Sequence, residues 1–97
     1  MAERSFEDVA LQLHPTDNVA VLKQPLVPGD EIIKASLRLL LTQRIRPGHK
    51  IALSKIPDAA PVRKYGQIIG FAQGDIVPGA HVHTHNLRLK DFGRACE

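Results

Sequence analysis

Ninety-seven residues suit one domain, 1–97, whose single modest core is too small to enclose a deep active site without a neighbour. Aromatic residues are only 4% of the chain and tryptophan is absent, so the core must be aliphatic and the scattered basic residues have no stacking platform beside them. Thirteen Lys and Arg against ten Asp and Glu give a formal charge of +3, which suits a small anionic ligand and argues against a nucleic-acid partner.

In chain order, Met1–Ser5 is expected to be a frayed lead-in, and the charged Met1–Asp8 has no signal-peptide core. Phe6–Leu13 alternates, with Val9, Leu11 and Leu13 on one face, which predicts a strand. His14-Pro15-Thr16-Asp17-Asn18 is a turn by composition, and Val19–Leu22 is a short buried strand. Asp17 and Asn18 either present polar groups to a site or cap their own turn through side-chain-to-backbone bonds. Glu31–Ile45 fits a helical stripe or two strands. The weak N-cap favours strands Glu31–Ile33 and Leu37–Thr42 around a tight turn at Lys34–Ser36.

Lys50–Leu53 is the next strand, Ile56–Pro61 a proline-bounded loop, and Val62–Tyr65 a strand ending at Gly66. Ile68–Ala72 is an apolar strand in which Gly70 marks a bulge or a close backbone approach. Tyr65 is expected at the edge of the core with its hydroxyl satisfied. Leu87–Glu97 is a polar, charged tail. Its Cys96 has no second cysteine to pair with, which favours a reducing cytoplasm. No apolar run approaches the roughly 20 residues of a membrane span, so no membrane association is expected.

The form x-Pro-Gly-x-x-aliphatic occurs three times, at Val27–Ile32, Arg46–Ile51 and Val77–Val82. Each copy predicts a type II corner feeding a strand, because proline pre-sets the first central φ and glycine takes the positive second one. The glycines are 19 and 31 positions apart, too uneven for a solenoid. Many short strands with Pro-Gly corners indicate an all-β domain.

The third corner leads into His81, His83 and His85, three of the five histidines of the chain. On a strand, residues two apart share a face, so the three rings are expected to point one way. Imidazole serves as metal ligand, general base or general acid near neutral pH. The same run also fits the exposed face of an edge strand. His49 and Lys50 follow the second corner. Lys50 is either a ligand for a carboxylate or a solvated turn lysine. His14 is either a turn residue or a fourth imidazole for the site.

Four fragments carry a resemblance. DNVAV (Asp17–Val21), PGHKIAL (Pro47–Leu53), KYG followed by IG (Lys64–Gly66, Ile69–Gly70) and DIVPGAHVHTHN (Asp75–Asn86) are similar, in this order and spacing, to the altronate/galactarate dehydratase family. The resemblance runs from about His14 to Asn86, with no quotable motif in Lys34–Arg44, and it is to that family's small N-terminal SAF module. It implies a β-clip fold of short strands. It also implies membership of a sugar-acid lyase, typically iron(II)-dependent, that removes water from an aldonate to give a 2-keto-3-deoxy acid. A sulfolactate sulfo-lyase small subunit is similar too. In either case a large catalytic subunit or domain completes the enzyme, and the chain is not expected to turn over substrate alone; self-association into a homo-oligomer is also compatible.

The site expected from these readings has His83 and His85 as catalytic groups and His81, His83 and His85 as metal ligands. Lys50, Asn86, Asp17 and Asn18 would contact the anionic sugar acid, and Asp17 or Asp75 would be the nearest carboxylate. Two readings compete with the lyase: a stand-alone binding or assembly module, and a self-contained metal-binding β-domain.

Overall fold

The computed structural model describes residues 3–89. Its strands are β1 (Glu3–Ser5), β2 (Ala10–Leu11), β3 (Val19–Leu22), β4 (Glu31–Lys34), β5 (Leu37–Leu40), β6 (Lys50–Ala52), β7 (Pro61–Lys64), β8 (Gln67–Ala72), β9 (His81–Val82) and β10 (Leu87–Leu89). One helical turn, α1 (Phe6–Val9), lies between β1 and β2. Among the described residues the fold is all-β apart from that turn. Three small sheets form, β1-β4-β5, β10-β8-β7 and the central β2-β3-β6-β9, in a body of 44 × 23 × 22 Å.

The molecule is built from one device used four times in two matched halves. A buried aliphatic residue precedes each corner: Leu26, Ile45, Ile56 and Ile76. Leu26 and Ile45 exchange two backbone bonds of 3.0 Å, and Ile56 and Ile76 exchange two of 2.8 Å. Three corners are the Pro-Gly turns, with Gly29, Gly48 and Gly79 at φ 94, 89 and 86°. The fourth, Pro57-Asp58-Ala59-Ala60, lies in the expected loop Ile56–Pro61 and has alanine at φ 69°. Ala59 is held there by its bond to the Ala72 carbonyl, 2.8 Å, and by a clamp beside it. Asp58 Oδ1 accepts from Gly74 N–H, and Asp75 Oδ1 accepts from Asp58 N–H. Asp75 is therefore a corner residue.

The halves repeat at an offset that explains the uneven glycine spacing. Leu26 corresponds to Ile56 and Ile32 to Val62, 30 positions apart. Ile45 corresponds to Ile76 and Ile51 to Val82, 31 apart. The extra residue is Ile69: Val62 pairs with Gly70 but Arg63 pairs with Ile68, a bulge. Gly70 is also a close approach, because a Cβ there would lie 2.6 Å from the Arg88 carbonyl and 2.8 Å from Leu87 Cδ1. Gly70 takes the register position of Leu39, and the Leu87 side chain fills the space. The core accordingly has two lobes. One gathers Phe6, Val9, Leu26, Ile32, Leu39 and Ile45, and the other Ile56, Val62, Ala72, Ile76 and Val82.

Several expectations are corrected. Glu3–Ser5 is not frayed but pairs in parallel with β4. Phe6–Leu13 is not one strand. Phe6 and Val9, three apart, both turn into the first lobe, while Leu11 is 48% exposed, so the helical period overrides the apparent alternation. Leu87–Leu89 is strand rather than tail, and the rest of that tail, with Cys96, lies outside the described residues. Tyr65 is exposed at φ 60° in the β7–β8 turn, not at the core edge. The β4–β5 hairpin and its turn, with Ala35 at φ 53°, match the two-strand reading.

Candidate functional site

Asp17 and Asn18 lie far from the histidines in role. The Asp17 carboxylate is buried and accepts from both amides of the β7–β8 turn: Oδ2 from Tyr65 N–H at 2.9 Å and Oδ1 from Gly66 N–H at 2.8 Å. Asn18 donates to the Pro61 carbonyl at 2.9 Å and accepts from Arg63 N–H at 2.7 Å, so it acts as an extra rung beside the bulge. These bonds run to the β7–β8 hairpin rather than to their own turn. His14 stays in its turn, with Nδ1 2.9 Å from Thr16 Oγ1 and its ring packed over Gly66.

The imidazoles meet through tertiary pairing. β9 pairs antiparallel with β6, with Ile51 opposite His81 and Lys50 opposite Val82. His49, two residues before Ile51, shares the Ile51 face, so it sits diagonally across from His81. Its Nδ1 lies 2.9 Å from His81 Nε2. The rings of His81 and His83 stack 5.4 Å apart with planes 10° from parallel, and His83 is 5.0 Å from His49.

The expected strand across all three histidines ends at Val82. Asn86 ends it by competing for the backbone: Oδ1 accepts from His83 N–H at 2.9 Å, and Nδ2 donates to the His81 carbonyl at 2.8 Å. A turn closes from His83 to Asn86, and it brings the His85 ring within 5.4 Å of His81. Asn86 thus shapes the site as a clamp. The rings do converge, through a turn rather than through strand alternation.

His49 was not among the expected ligands, yet His49, His81 and His83 have ring nitrogens all within 4.8 Å of one another. The only local sign of it is its place after a Pro-Gly corner. Three facial ligands about 2.1 Å from an ion lie roughly 3 Å apart. His49 and His81 already meet that spacing, and the His83 side chain is exposed beside them. Imidazole nitrogens suit iron(II) or another first-row divalent ion. Neither Asp17 nor Asp75 reaches the group, and Lys50 falls on the other strand face. There the Lys50 amine is pushed down by partial burial and by the neighbouring Lys64. A groove of about 360 Å³ lined by Phe6, Leu11, Lys23 and Lys34 shares no residue with the imidazole group.

Burial pushes His81 down to about 4, with further lowering from His49, His85, His83 and Lys50. The 2.9 Å contact needs one donor and one acceptor, so protonating both rings would set two donors face to face. Between about pH 4 and 6.5 the folded chain therefore binds less proton at this ring than the unfolded chain. Stability from this group is full above pH 6.5 and falls as pH drops toward 4, by about 1 kcal/mol after discounting for solvent screening of a partly exposed ring. An NMR titration of the metal-free chain should give a His81 midpoint near 4. An ordinary midpoint near 6.5 would mean that the ring is not buried among the other imidazoles as the structure places it.

Residues 8–90 match the family model described as the altronate/galactarate dehydratase SAF domain. The chain belongs to this family. The SAF module is 44% identical to altronate dehydratase of Escherichia coli (strain K12) over 78 residues, which is 80% of this chain and 16% of that enzyme. It is 36% identical to the L-threo-forming galactarate dehydratase of the same organism over 85 residues, 84% of this chain and 15% of that protein. It is 41% identical to the alpha subunit of (2R)-sulfolactate sulfo-lyase from Paracoccus pantotrophus over 56 residues, 58% of this chain and 84% of that subunit. The SAF module thus spans about a sixth of the dehydratases but matches most of a separate lyase subunit. Among the described residues no helix is long and apolar enough to cross a membrane.

Proposed function

We propose that this chain is the N-terminal module or small subunit of a cytoplasmic sugar-acid dehydratase of the altronate type, inactive until a large catalytic lyase partner completes its site. The observation that carries the reading is the convergence of His49, His81, His83 and His85 on one edge of a domain whose relatives are lyases. His83 and His85 are exposed there, so a second polypeptide can supply the opposite wall.

The reaction removes a proton beside a carboxylate and expels a β-hydroxyl. His85, the exposed ring that lies outside the imidazole triad, is suited to take that proton or to protonate the leaving oxygen, and His83 would share that work only while it holds no ion. Lys50 lies on the other strand face but close enough for its charge to act on His81, so it would favour an anionic substrate through longer-range attraction rather than a direct contact. Asn86 holds the turn that sets the ring positions. Iron(II) would be held by the imidazole nitrogens of His49, His81 and His83 and would supply Lewis acidity to the reaction.

The test is reconstitution. The chain alone is expected to produce no 2-keto-3-deoxy acid from altronate, and a mixture with a large lyase subunit lacking this module is expected to produce it. Combined His83→Ala and His85→Ala changes should lower turnover of the mixture by at least about 100-fold. Full turnover with both rings removed would end the catalytic assignment, and turnover by the chain alone would end the need for a partner. A second reading, the small subunit of a sulfolactate sulfo-lyase, is favoured by the 84% coverage of that subunit. Sulfite release from sulfolactate by the reconstituted pair would select it.

A further inference from the structure

We propose that His49, His81 and His83 form a divalent transition-metal site carried by this chain itself, with His49 as its decisive member. The inference goes beyond the lyase reading, because it concerns binding by the module without any partner.

The ligands come from two segments that local sequence does not join. His49 ends the second Pro-Gly corner, and His81 opens β9 after the third. Both backbones are fixed before any ion arrives. The β6–β9 ladder pairs Ile51 with His81, Ala52 N–H donates to the Ala80 carbonyl at 3.0 Å, and Gly79 N–H donates to the Ala52 carbonyl at 2.8 Å. Asn86 fixes the third ligand through His83 N–H. Such preorganisation separates a built site from a flexible run of histidines, since little ordering remains for the ion to impose.

The donor set selects the ion class. Three neutral nitrogens suit zinc, cobalt, nickel or iron(II) and give magnesium or calcium none of the oxygen ligands they favour. Three ligands leave at least one coordination position open. The exposed His83 edge would let water, a partner carboxylate or a substrate oxygen reach it. The His85 ring is near His81 but outside the triad. The geometry therefore ranks the residues in a way the sequence run does not: His49 matters and His85 is dispensable.

The experiment titrates the untagged 97-residue chain with cobalt(II), by its visible d–d absorption, and with zinc(II), by calorimetry. One equivalent is expected to bind, unaffected by millimolar magnesium. His49→Ala and His49→Gln should each weaken binding by at least about tenfold, the scale set by loss even of an outer-shell partner, while His85→Ala changes it less than threefold. Amide NMR spectra confirm that the variants are folded. Absence of binding, more than one equivalent of equal strength, or wild-type affinity in both folded His49 variants would overturn the site. Loss of affinity on His85→Ala but not on His49→Gln would assign the metal to the flexible run as an adventitious ligand. No turnover enters the readout, so failure to reconstitute a lyase would leave this result standing.

Discussion

Asp17→Ala is expected to lower stability by about 2–4 kcal/mol, a large fraction of what a domain this size has to lose. The change removes two charge-assisted bonds at once. It leaves the Tyr65 and Gly66 amides without their acceptors, in a turn whose glycine is also packed by the His14 ring. Tyr65 already holds a positive φ of 60°, a conformation that a non-glycine residue keeps only when its surroundings hold it there. Asp17→Asn keeps the shape but replaces one acceptor with a donor facing an N–H, so an intermediate loss is expected. Urea unfolding of the three proteins measures this. A loss below about 0.5 kcal/mol for Asp17→Ala would show that water satisfies those amides and that the carboxylate is free for another role.

The two glycine corners flanking the histidine pair should respond very differently to the same substitution. Gly48 and Gly79 have nearly the same φ, 89 and 86°, so alanine meets similar backbone strain at both. At Gly48 a Cβ finds open space, and the cost is that strain alone, about 1 kcal/mol. At Gly79 a Cβ would lie 2.8 Å from the Leu40 carbonyl oxygen, a backbone atom that cannot rotate away. The corner must shift, and the expected total is about 3 kcal/mol or more. The shift also moves the start of β9, so Gly79→Ala should separate His81 from His49 and raise the His81 midpoint toward its ordinary value. Equal melting temperatures for the two variants would show that the close packing of the third corner against β5 is absent in solution.

Much of the fold is legible locally. The Pro-Gly corners lie at Gly29, Gly48 and Gly79, the strands between them lie close to their expected positions, and Gly70 marks both a bulge and a close approach. The parts that were not legible depend on distant partners. Ala59 carries no turn signal; its corner is imposed by Ala72, Asp75 and Gly74. Glu3–Ser5 becomes a strand only because β4 offers an edge, and Leu87–Leu89 only because Gly70 leaves room beside β8. Asp17 resembles a local cap, yet its acceptors are taken 48 and 49 residues away.

The candidate site divides along the same line. Sequence alone established the all-β class, the family kinship and a concentration of imidazole at 81–85, because turn chemistry, alternation and motif order are properties of neighbouring residues. Tertiary structure decided which groups share the site. It brought in His49 across the β6–β9 ladder, turned the chain back at Asn86, and committed Asp17 and Asn18 to the β7–β8 hairpin. The physical reason is that strand partners are chosen by which apolar faces bury together, and that choice is made over the whole chain rather than within any one stretch of it.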